Sequence, residues 1–214
     1  MNETQAFHFS TGADLVYLLG VKAKNPEELL EGIRTLPLPS IYYHTHRFLQ
    51  QHHFLSPEPP NDFAYWLNGI LNLRELGESV SAVDVVNCTS LERIREELIG
   101  ILEGYLGRGG YTISAPEGGE FHFMSCKVFT LPTKYVAHNL AEFADAIRKV
   151  SVRSLYFHVY EARMRLKTDE NDFTAWFRGI GETKLAQSLS RLDPYTMTLE
   201  GLRERIVREV SRYA

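Results

Sequence analysis

The chain has 214 residues, 44% of them hydrophobic and 23% charged, with a formal net charge of -4. That balance excludes a disordered or fibrous chain and leaves room for one large core or two small domains. No apolar run approaches the roughly 20 residues of a membrane helix, and "MNETQAFHFSTG" lacks a basic start followed by an apolar core, so a cytoplasmic protein with no membrane attachment is expected.

In chain order, "FHF" at Phe7 to Phe9 and the alternating, β-former-rich "FHFMSCKVFTL" from Phe121 predict one short strand each. Asn25-Pro26-Glu27-Glu28 combines an N-cap, a proline at the first helical position and acids at the positive end of the dipole, and Pro37 ends the helix. Its apolar face is Leu29, Leu30 and Ile33, matched by Leu140, Phe143 and Ile147 after Asn139. Phe63, Trp66, Leu67, Ile70 and Leu71 follow helical spacing behind Asn61 or Asp62, and Phe173, Trp176, Phe177 and Ile180 repeat it. Further helices are predicted from Leu73 to Val83, from Leu185 to Leu192, from a capping box at Thr89 and Glu92 through Tyr105, and over residues 198–213.

The chain also resembles itself. "FHF" and "SIYYH" return as "FHF" and "SLYFH" 114 positions later, "NDFAYW" returns as "NDFTAW" after 110, and "SLERIREEL" matches "TLEGLRERI" after 108. Four blocks in one order read as a tandem pair, too long in period for a solenoid. Residues 1–106 form helical copy 1, the glycine-rich 107–120 a linker, and 121–214 helical copy 2. The fold class expected is therefore mainly α, two helical domains related by a pseudo-twofold, a pseudo-dimer within one chain. Residues 1–106 hold 7 Lys/Arg and 14 Asp/Glu and residues 121–214 hold 15 and 11, opposite net charges that favour docking of the copies. The positive charge is not interleaved with aromatics as an RNA platform requires, so nucleic acid is not an expected partner.

"SIYYHTHRFLQQHH", residues 40–53, carries four of the eight histidines. On a helix His44 and His46 point about 200° apart, and no pair stands at i, i+3 or i, i+4, so no metal site is encoded there. Only His8 and His44 recur, as His122 and His158. The candidate binding residues are His44, His158, Asp62, Asp172, Tyr42, Tyr156, Arg34 and Arg148. A buried histidine bonded to a carbonyl or a tyrosine is one reading of the recurring pair. The other is a cleft in which His44 and His158 with Asp62 and Asp172 bind a metal or move a proton. Asp62 and Asp172 also suit helix starts, and Arg34 and Arg148 suit last turns or an anion. Cys88 and Cys126 form no CxxC pair, and GxGxxG, GxxxxGK, GxSxG and HExxH are absent, so the sequence assigns no catalytic residue and no cofactor.

"SIYYHTHRFLQQHH", "LSPEPPNDFAYW" and "LDPYTMTLEGLRERIV" resemble a bacterial family described as a domain of unknown function, over nearly the whole chain. Its members stand near genes for glycosyltransferases and trehalose-type sugar metabolism, so the resemblance implies a carbohydrate context and no catalytic residues. The second half departs from the first at His46, Arg47 and "LSPEPP". Two functions follow as expectations. One is a non-catalytic binding, accessory or regulatory protein whose aromatic-rich cleft takes a small ligand or protein partner. The other is a metal-dependent or acid/base enzyme built on the recurring histidines and aspartates.

Overall fold

A computed structural model of the chain describes residues 6–48, 60–85, 87–110, 113–163, 170–192 and 197–214. His52, His53, Leu55 and most of "LSPEPP" lie outside the described residues. Strand β1 (Phe7–Ala23) is followed by α1 (Pro26–Thr35), α2 (Leu38–Tyr42), a π-helical turn (Tyr43–Arg47), α3 (Asp62–Gly69), α4 (Arg74–Ser81) and α5 (Leu91–Gly107). Strand β2 (Phe121–Ala137) then leads into α6 (Leu140–Lys149), α7 (Val152–Tyr156), a second π-helical turn (Phe157–Glu161), α8 (Asp172–Gly179), α9 (Thr183–Ser190) and α10 (Leu199–Val210).

The expected architecture, a duplicated pair of helical domains with at most a short strand in each, needs correction. The fold is helix-rich, but β1 and β2 are 17 residues long and pair into a two-stranded antiparallel sheet, so it is not a duplicated all-helical pair. The reason lies in the sequence beyond the "FHF" blocks. Val16, Tyr17, Val21, Val128, Phe129, Thr130 and Tyr135 extend the β-prone run on both sides, and each strand supplies the other's backbone partners.

By compactness the chain forms two units, Met1–Ala13 with Val128–Ala214, and Asp14–Lys127. In the Asp14–Lys127 unit α1 packs on α5, and α3 packs on α4. Asn25 caps α1 by accepting from the Glu28 amide, and Asn61 caps α3 by accepting from the Ala64 amide. Ser90, rather than the expected Thr89, caps α5 by accepting from the Arg93 amide. Gly32 is fixed by packing, since a Cβ there would stand 2.2 Å from the Phe123 ring. Phe63, Leu67, Leu76, Ile94, Leu98, Phe121 and Phe123 make the core.

In the other unit α8 packs on α9, and α6 on α10. Asn139, Asn171 and Thr198 cap α6, α8 and α10. Phe7, Phe9, Phe143, Phe173, Phe177 and Leu185 are buried at its centre. No helix among the described residues is long and apolar enough to cross a membrane.

Candidate functional site

Both π-helical turns continue an α-helix without a break, and each places a histidine in the core of its unit. In the Asp14–Lys127 unit His44 is 2% exposed and lies among Phe63, Phe121 and Phe123. Its Nδ1 lies 2.7 Å from Asp62 Oδ2, and its Nε2 accepts the backbone N–H of Met124 in β2 at 2.9 Å. A ring nitrogen that accepts an N–H carries no proton, so the ring's hydrogen is on Nδ1 and donates to Asp62. Burial pushes the His44 imidazolium down from its ordinary range, and the hydrogen bond and charge of Asp62 only partly oppose this. Tyr43, beside it, is pushed up by burial, with the Asp62 charge adding to the effect.

The second unit builds the same arrangement from different chain segments. His158, 3% exposed, donates from Nδ1 to Asp172 at 2.7 Å and accepts the Ser10 backbone N–H of β1 at Nε2, at 2.8 Å. The Ser154 hydroxyl donates to the Ser10 carbonyl, so both polar groups of that strand residue end on side chains of the α7 helix and its π turn. Asn61 and Asn171 take over the capping at the two helix starts. That leaves the carboxylates of Asp62 and Asp172, at the first helical position, to meet the histidines.

Of the candidate residues, the structure joins His44 to Asp62 and His158 to Asp172. Tyr42 is buried and stacks on His46 with 5.6 Å between ring centroids, and Tyr156 stacks on Tyr160 at 4.9 Å. Arg34 is exposed at the end of α1 and pairs with Glu103 of α5. Arg148, at the end of α6, donates to the Ala144 carbonyl. His8 and His122 are exposed.

Sequence reasoning missed the strand amides that the histidines hold, since a backbone donor leaves no mark in composition. It also missed that His46 is as buried as His44, on another side of the same helix. Burial lowers His46 to about 4, with a backbone hydrogen bond at Val85 opposing. Two buried ion pairs flank the turns, Arg47 with Asp14 and Arg153 with Glu161, and Arg153 also donates to the Gly12 carbonyl. Among the described residues no group of three His, Cys, Asp or Glu side chains converges as metal ligands.

A model built for the Family of unknown function (DUF5752) matches residues 4–211. The chain belongs to that family. It is similar to the solved structure of OrfY from Thermoproteus tenax, with 29% identity, 98% of this chain and 96% of that one covered, and a TM-score of 0.82. No curated protein matches the chain.

Proposed function

We propose that the protein is a non-catalytic accessory or regulatory protein that binds a small ligand or a protein partner, working alongside carbohydrate-metabolising enzymes. The observation that carries this reading is the full commitment of both recurring histidines. Each gives its Nδ1 proton to an aspartate and its Nε2 lone pair to a strand amide, so neither ring keeps a nitrogen with which to take a proton from a substrate or hold a metal. The geometry suits a fastener: each histidine ties a helix to a strand of its own unit and to the start of the next helix. The carbohydrate context rests on the sequence resemblance and names the ligands to try first.

Thermal unfolding of the purified chain with trehalose, glucose 6-phosphate and UDP-glucose tests the proposal. A ligand at ten times its Kd adds about 1.4 kcal/mol and raises Tm by about 2–4 °C for a chain of this size. At least one of the three is expected to do so, or a protein partner to co-purify. A flat response to all three with no partner would remove the proposal's support, and turnover of a sugar substrate that is lost in His44→Asn or His158→Asn would replace it with the acid/base enzyme.

A further inference from the structure

Trp66 and Trp176 hold matching places, each on the helix that begins at its unit's histidine-bound aspartate. Trp66 meets Phe121 edge-on with ring centroids 5.7 Å apart and planes at 67°, and Trp176 meets Phe7 at 5.7 Å and 63°. Over Trp66 lies a turn of the chain itself, Pro116 to Gly119, closed by the Gly119 amide on the Pro116 carbonyl and holding Gly118 at φ +80°. The Gly119 carbonyl accepts the Trp66 indole N–H at 2.7 Å, and a Cβ on Gly119 would stand 3.2 Å from Ile70. Trp66 is 4% exposed. A large ring with one polar handle is thus covered by apolar contact and one main-chain acceptor.

Around Trp176 the same face forms a hollow of about 370 Å³, wholly within the unit of Met1–Ala13 and Val128–Ala214. Ala6, Phe7, His8, Trp176, Gly179 and Ile180 line it, and they correspond in order to Glu120, Phe121, His122, Trp66, Gly69 and Ile70. The described residues begin at Ala6, in the wall of the hollow, and five residues run ahead of it. Gln5 stands to Ala6 as Gly119 stands to Glu120. A sphere of 370 Å³ is about 9 Å across and five residues reach at most about 17 Å, so the stretch is long enough to cover the hollow. The turn itself does not carry over, because its left-handed position falls on Thr4, whose β-branched side chain is strained there. What carries over is the carbonyl one step before the strand.

We propose that residues 1–5 dock in the Trp176 hollow as Pro116 to Gly119 dock on Trp66, with the Gln5 carbonyl accepting the Trp176 indole N–H. The hollow is then the seat of a segment of the chain itself, and a free ligand reaches Trp176 only by displacing that segment. Tethering favours the segment, because an occupant attached through a short stretch of chain competes at an effective concentration in the millimolar range.

Nuclear magnetic resonance of the full chain tests this at the indole N–H of Trp176, told apart from that of Trp66 by a Trp66→Phe variant. Nuclear Overhauser contacts are expected between the Trp176 ring and protons of Thr4 and Gln5. In a chain that begins at Ala6, hydrogen exchange of the Trp176 indole should speed up at least about tenfold, while that of Trp66, held by Gly119, stays as it was. Unchanged amide exchange in α9 shows that the shortened chain keeps its fold; where it does not, the Overhauser contacts of the full chain decide alone. A full chain without contacts from Trp176 to residues 4 and 5 overturns the proposal. So does a Trp176 indole that exchanges equally fast in both chains.

Discussion

Acid should weaken the fold through its buried histidine rings, His46 above all. His46 is 2% exposed, and its imidazolium is held down to about 4 in the native chain, against an ordinary 6.5 in the unfolded one. Between those values the unfolded chain binds a proton that the native chain refuses, so stability rises with pH there and is lost as pH falls from about 6.5 toward 4. A difference of about 2.5 units corresponds to an upper bound of about 3 kcal/mol. The downward shift of His44 acts in the same direction. Tyr160 stacks on Tyr156 as His46 stacks on Tyr42, so His46→Tyr substitutes an aromatic ring that has a precedent within the chain. Urea unfolding of wild type and His46→Tyr at steps from pH 7.5 to pH 4.5 reads the effect. The wild type should lose more stability over the acid half of the range, with the gap between the two proteins widening by up to about 3 kcal/mol. Parallel curves would show that His46 takes up its proton as readily in the native state and would refute the reasoning.

Replacing His158 with Phe takes away the acceptor of the Ser10 N–H and the ring that donates to Asp172. A loss of about 1–3 kcal/mol in urea unfolding is expected, with hydrogen exchange at Ser10 accelerated more than at residues of α9. Gly32→Ala drives a methyl group into the Phe123 ring and should cost about 1–3 kcal/mol, which a lowered midpoint of thermal unfolding would report. Arg34→Ala removes an ion pair whose side chains are 40% and 51% exposed, so it should change stability by less than about 1 kcal/mol and lose even that in high salt.

The helices were legible because their signals are local. Asn25 and Asn139 cap where they were read, the 3.6-residue spacing of Phe63, Trp66 and Leu67 marks a buried face, and Pro37 stands just past the end of α1. The strands were underestimated because alternation weakens where β1 and β2 turn both faces toward solvent. Leu15, Leu18 and Leu131 are exposed, and no hydrophobic period marks such a stretch. The π-helical turns were invisible for a related reason, since "YHTHR" and "FHVYE" have no composition that separates them from an α-helix. Repetition in the sequence pointed to His44 and His158 and to their aspartates, yet it was silent on what completes each site, a main-chain amide 80 residues away for His44 and 148 for His158.

The fastening role of each recurring histidine depends on which ring nitrogen carries its proton. Long-range nitrogen-15 correlation spectra of histidine-labelled protein at neutral pH report this directly for both rings. The structure calls for the hydrogen on Nδ1 and a bare, hydrogen-bonded Nε2 in His44 and in His158 alike. An Nε2–H tautomer in either ring, or a nitrogen shifted by a bound metal, would contradict the fastening role and return these side chains to the list of reactive groups.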